Sequence, residues 1–137
     1  MRSSLMLILA LVPGVLRAQS GDLDREAERA RRAWYAHDAG ALVANSPRLV
    51  VRLPGADPSG ALGQAQAAAL LRDFLAPTQE VETTVRSARE VEPGQGYVEL
   101  QRRYRVSGTQ EVRTQTLLLA YRHGPAGWTL VELRVSG

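Results

Sequence analysis

Gly96-Tyr97-Val98-Glu99-Leu100-Gln101-Arg102-Arg103-Tyr104-Arg105-Val106 is the stretch on which the fold turns. Val98, Leu100, Tyr104 and Val106 alternate with Glu99, Gln101, Arg103 and Arg105. This is the period of two that a strand shows when one face of its sheet is buried and the other meets water. Arg102 breaks the pattern, because its parity places it with the apolar set. Turn residues bound the stretch, Pro93-Gly94-Gln95-Gly96 before it and Ser107-Gly108 after it. Gln110 to His123 and Trp128 to Val135 read as further strands, joined by Gly124-Pro125-Ala126-Gly127, and Glu80 to Arg89 reads as the strand that comes first. Everything beyond Pro77 is thus predicted to be an antiparallel sheet of hairpin-linked strands.

Upstream the period changes to that of a helix. From Asp22 to about His37, residues Leu23, Ala27, Ala30, Trp34 and His37 recur at steps of four, three, four and three, one helical stripe. Ser20 or Asp22 can cap it, and Asp22, Asp24 and Glu26 suit its positive end. Arg25, Arg29 and Arg32 fall on the far face, either as an anion patch or as a solvated surface with a Glu28 to Arg32 ion pair. Asp38-Ala39-Gly40 ends the helix, and Ala41 to Asn45 reads as one more helical turn. Arg48 to Leu53 is a short strand stopped by Pro54-Gly55, and a turn-rich loop runs to Gly60. Leu62 to Ala76 is a second helix, with Ala67, Leu70, Leu71, Phe74 and Leu75 on its buried side and Pro77 stopping it. Helices followed by hairpin-linked strands make an α+β plan.

A chain of 137 residues, 45% hydrophobic and 23% charged, suits one domain with its own core. Its first residues have the layout of an export signal: Arg2, the apolar run Leu5 to Val12, the breakers Pro13-Gly14, and the small Ala18 before Gln19. Cleavage after Ala18 divides the chain into a signal peptide at 1–18 and a single domain at 19–137. The apolar run ends by Leu16, short of the ~20 residues that a membrane-spanning helix needs, so no membrane association is expected after cleavage. The expected destination is the periplasm or the exterior. Every basic residue is Arg, which excludes Lys-based covalent chemistry, and the absence of Cys excludes thiolate nucleophiles and thiolate metal sites. Without Arg2 and Arg17 the domain carries fifteen Arg against fourteen acids, a charge of +1, which gives no electrostatic basis for nucleic-acid binding.

Several features come in a definite order. A helix ends in Asp38-Ala39-Gly40, a short helix holds Ala41-Leu42-Val43, and a strand runs into Leu53-Pro54-Gly55. A second helix and a bent meander follow, closing on Trp128-Thr129-Leu130-Val131-Glu132-Leu133. This order resembles the nuclear transport factor 2-like superfamily, which includes polyketide-cyclase-like proteins and ketosteroid isomerase. The resemblance covers Asp22 to Gly137 and is nearest to short exported members of unknown function. It implies N-terminal helices packed on a strongly curved, mostly antiparallel sheet, the cystatin-like, cone-shaped half-barrel, with a cavity at the wide end and frequent dimerisation. Alignment on the Ala39-Gly40 turn puts Ala33 where ketosteroid isomerase has its oxyanion-stabilising Tyr. Alignment on Pro54 puts Leu53 where that enzyme has its general-base Asp. Neither side chain donates a hydrogen bond or takes a proton.

Among residues that could carry chemistry, His37 stands first, because imidazole moves a proton near neutral pH and Asp38 is a possible orienting carboxylate. Neighbouring helical residues point about 100° apart, however, and a hydrogen-bonded structural histidine is the alternative. His123 is expected to be exposed in a hairpin turn, and two such His give no metal-binding spacing. Arg52 and Arg102 lie in strands among apolar neighbours, and each needs an anionic partner. A protein carboxylate such as Asp73, Glu99 or Glu132, or a ligand carboxylate, would serve. Trp34, Tyr104 and Tyr121 could line a ligand cavity or simply fill the core. No cofactor motif is present. The expectation is an exported domain that binds a small, partly apolar ligand or a protein, as a homodimer. The alternative is a small dehydratase, cyclase or isomerase using His37.

Overall fold

A computed structural model describes residues 21–137. The leader, the cleavage junction and the Ser20 cap lie outside the described residues. The described part of the first helix, α1, covers 21–35. It is followed by α2 (Ala39–Leu42), β1 (Arg48–Arg52), β2 (Leu62–Gly63), α3 (Gln64–Leu75), β3 (Thr78–Glu92), β4 (Gln95–Val106), β5 (Val112–Gly124) and β6 (Gly127–Ser136). One sheet runs in the order β2-β1-β6-β5-β4-β3. All its pairs are antiparallel except β1 beside β6, where Val50, Val51 and Arg52 pair with Glu132, Leu133 and Arg134. The architecture is α+β, with the helices on a curved, mostly antiparallel sheet.

Alternation builds the core as the sequence implies. Val98, Leu100, Leu117, Leu119, Leu130 and Leu133 point inward from the sheet, and Leu23, Ala27, Ala30 and Trp34 meet them from α1. Curvature comes from bulges, each of which inserts a residue and bends its strand. The β3–β4 register shifts between Glu80 and Glu82, between Val85 and Ser87, and between Glu90 and Glu92. A further shift falls between Ala120 and Tyr121 in the β5–β6 pair.

The helix boundaries differ from expectation for local reasons. The first helix stops at residue 35, and His37 lies beyond it with φ 56°. Asp38 caps the next helix instead of ending the previous one: its Oδ1 accepts from Ala41 N at 3.0 Å, so α2 begins at Ala39 and not at Ala41. Leu62 and Gly63 pair with Leu49 and Arg48 as a strand, which moves the start of α3 to Gln64. On α1, Glu28 pairs with Arg31 at 2.6 Å, while Arg32 is at 3.9 Å. Hydrogen bonding from Arg31 lowers the Glu28 pKa. Arg29 does not face solvent with its neighbours; its Nη1 donates to Ala41 O at 2.7 Å and ties α1 to α2. His123 is half-buried, not exposed, and its ring meets Trp128 edge-on at 4.9 Å.

Candidate functional site

Strand parity carries Arg102 into the cone. It stands opposite Thr83 of β3 and Gln115 of β5, and its side chain is wholly buried. Its Nε donates to Glu80 Oε2 at 3.3 Å, Nη1 to Gln115 Oε1 at 3.2 Å, and Nη2 to Thr78 Oγ1 at 3.0 Å and to Glu80 Oε1. Aromatic rings surround the guanidinium, whose carbon lies 4.0 Å from the Tyr104 centroid, 5.2 Å from Trp34 and 5.8 Å from Phe74. These are cation–π distances, and the exclusion of water strengthens the attraction. Burial pulls the Arg102 pKa down, against the opposing influence of Glu80 and Tyr104. An Arg nonetheless remains charged, so Glu80 is its counter-ion.

Glu80 is the residue that sequence reasoning missed. Simple alternation places Glu80 and Thr83 on opposite faces of β3, since they are three apart. The shift between Glu80 and Glu82 lets both point inward, Glu80 opposite Tyr104 and Thr83 opposite Arg102. Asp73, Glu99 and Glu132 therefore do not hold Arg102. The Glu80 side chain is 2% exposed and also accepts from Thr83 Oγ1 at 3.4 Å. His37 Nε2 lies 3.1 Å from Glu80 Oε1. A carboxylate paired with Arg accepts but does not donate, so Nε2 carries the hydrogen of that bond. His37 is thus oriented by Glu80, not by Asp38, and its side chain remains 26% exposed.

The structure brings Trp34, His37, Arg102 and Tyr104 together and separates Arg52 and Tyr121 from them. Arg52 lies on the outer side of β1, where its Nε is 3.4 Å from Glu132 Oε1. Its proposed place in a ligand cavity is corrected by strand parity: Leu49 and Val51 point inward, Val50 and Arg52 outward. Tyr121 is six residues beyond Gln115 on β5, about 20 Å along the strand at ~3.3 Å per residue. There it is buried without a hydrogen-bond partner for its hydroxyl, and burial drives its pKa strongly upward. A cavity of about 170 Å³ lies at that far end, among Asp22, Glu26, Asn45 and Trp128. Another of about 90 Å³ lies beside Tyr97, Ala120 and Val131. Neither is lined by His37, Arg52 or Arg102. Among the described residues no cluster of three His, Asp or Glu could hold a metal, and no helix is long and apolar enough to cross a membrane.

Comparison with known proteins adds the fold. No family model matches the sequence, and no curated protein matches it either. Solved structures do. A ketosteroid isomerase-like protein from Erwinia carotovora atroseptica superposes with a TM-score of 0.71 at 14% identity, over 86% of this chain and 95% of that one. A nuclear transport factor 2-like protein with a cystatin-like fold from Novosphingobium aromaticivorans gives 0.65 at 22%, over 91% and 86%. The chain has the nuclear transport factor 2-like fold. A candidate dehydratase of the nuclear transport factor 2-like family from Streptomyces avermitilis gives 0.68 at 13%, over 88% and 96%. Identities this low carry the fold and not the chemistry. Within the nuclear transport factor 2-like cone, Ala33 is buried in the core and Leu53 packs against it. The positions aligned with the isomerase's Tyr and Asp are thus apolar wall.

Proposed function

We propose that this is an exported, non-catalytic domain that works by docking protein on the outer face of its sheet, first of all a second copy of itself. The observation that carries this reading is that Glu80, Gln115 and Thr78 supply the acceptors of Arg102 from within the chain. Arg102, the one fully buried cation among the described residues, is neutralised internally, so it does not await an anionic ligand.

The outer face suits self-association. Ser87, Glu99, Leu118 and Arg134 form one cross-strand row, and Arg89, Tyr97, Ala120 and Glu132 the next. Tyr97 is 40% exposed, and Leu118, Ala120 and Val131 are half-buried. Glu99 and Arg134 are two strands apart, about 10 Å, and do not pair with each other among the described residues. A two-fold axis along β5 lays β4 of one copy over β6 of the other. Glu99 then faces the partner's Arg134 on both sides of paired Leu118 side chains. The face spans four strands at about 4.8 Å and some ten residues at ~3.3 Å, roughly 600 Å², near the scale of a standard interface. Sedimentation of the mature domain is expected to give a dimer, and Leu118→Arg a folded monomer. A wild type that stays monomeric at high micromolar concentration overturns the reading.

One observation favours a second reading, a small isomerase or dehydratase. His37, partly exposed and held by Glu80 at 3.1 Å, has the geometry of an oriented base. Proton exchange on enolisable ketones that disappears in His37→Gln would establish it, and none in the wild type removes it.

A further inference from the structure

A two-fold axis along β5 has a consequence for β5 itself, because an isologous interface sets each residue on the axis against its own copy. Leu117, Leu119 and Tyr121 point into the core, so Thr114, Thr116, Leu118, Ala120 and Arg122 point out. Of these only Arg122 is charged. It is exposed, and among the described residues its guanidinium has no ion-pair or hydrogen-bond partner. Glu132, which stands on β6 opposite Ala120, is already taken by Arg52 at 3.4 Å.

Arg122 also borders the outer-face cavity of about 90 Å³, with Gln95, Tyr97, Ala120 and Val131. A bulge shapes this hollow. Ala120 pairs with Glu132 and Tyr121 with Leu130, so Val131 is the inserted residue. It stands half-buried on the outer side next to Glu132, while Leu130 and Leu133 stay in the core. The small Ala120 then forms a floor between the Tyr97 ring and Val131.

The hollow lies across β5, so self-association about that axis brings two such hollows mouth to mouth. It also brings the two Arg122 guanidiniums together, between apolar walls that weaken the screening by water. Two like charges so placed oppose the dimer, and an anion between them turns the repulsion into attraction. Each guanidinium is a planar fork that grips a pair of oxygens. Two forks related by a two-fold axis therefore require two pairs. A tetrahedral oxyanion has four oxygens and two-fold symmetry of its own, whereas a carboxylate has one pair.

We propose that the dimer holds a free tetrahedral oxyanion, phosphate or sulfate, on its two-fold axis between the two Arg122 side chains, and that this anion tightens self-association. The site rests on the docking reading above and is incomplete in a single copy, which supplies one fork and half of the enclosure.

The probe is inorganic phosphate, set against chloride at matched ionic strength, and the readout is the dimer dissociation constant from sedimentation of the protein. That constant is expected to fall about tenfold once phosphate exceeds its own dissociation constant about tenfold. Sulfate should act as phosphate does and acetate only weakly; acetate acting equally well overturns the tetrahedral assignment. Arg122→Gln keeps an amide but no charge, and should dimerise in chloride at least as tightly as wild type and ignore phosphate. Arg122→Lys keeps the charge without the fork, and should gain less from phosphate than wild type does. Phosphate also favours association generally, through its exclusion from protein surfaces. Equal tightening of Arg122→Gln by phosphate is the mark of that effect and overturns the site. A wild-type dimer indifferent to phosphate overturns it too, while leaving the docking face standing. Should wild type and Arg122→Gln both be monomeric in either salt, the docking face falls and the site with it.

Discussion

Arg102 is the residue whose oddity the sequence displays most plainly. It occupies an inward parity in a strand whose other inward members are Val98, Leu100 and Tyr104, and its burial follows from that alone. Its partner does not follow, because a bulge sets the facing of Glu80, and no residue type in Glu80-Val81-Glu82-Thr83 announces one. The energetic consequence is asymmetric. Arg102→Met leaves Glu80 buried with its charge uncompensated, and a loss of about 3–5 kcal/mol is expected in urea unfolding. Adding Glu80→Leu removes the stranded carboxylate, so the double variant should recover most of that loss. Equal stability of the single and double variants would show that Glu80 is not the counter-ion.

Elements were legible wherever a period ran uninterrupted. β4 was found because alternation and turn chemistry agree, the other long strands because turn residues bound them, and the buried side of α3 because Ala67, Leu71 and Leu75 repeat at helical spacing. Boundaries failed where a side chain overrode the period. Asp38 caps α2, Leu62 and Gly63 join β1, and His37 leaves the helix. The packing of α1 on β4 depends on one glycine that no period reveals. A Cβ at Gly96 would lie 2.8 Å from Leu23 Cδ2 and 3.3 Å from Trp128 Cζ3, inside van der Waals contact. Gly96→Ala must push the helix off the strand or force Leu23 from its rotamer. The expected cost is about 1–3 kcal/mol, visible as a lower urea midpoint with an unchanged slope. Gly124, with nothing near its Cβ position, is the matching control, and its Ala variant should lie within about 0.5 kcal/mol of wild type.

At the scale of the whole molecule, the cone separates two kinds of buried polarity. Around Arg102, charge is compensated and nearly every group is hydrogen-bonded. At the far end, Tyr121 keeps a phenol in an apolar setting with no partner. Burial raises its pKa far above the ordinary tyrosine value of about 10, with Glu26 adding to the shift and Arg29 opposing it. A group whose pKa is higher in the folded state binds its proton more tightly there than when unfolded. Its contribution is therefore fully present below pH ~10 and is lost as pH rises beyond it, because the unfolded phenol ionises first. Of the four tyrosines, Tyr35 and Tyr97 are exposed. Tyr121 should ionise only as the molecule opens, so its phenolate absorbance is expected to appear together with the loss of far-ultraviolet circular dichroism. Tyr121→Phe removes the ionisable group and should shift alkaline unfolding to higher pH. An unshifted transition would mean that another group, not this phenol, sets the alkaline limit of the fold.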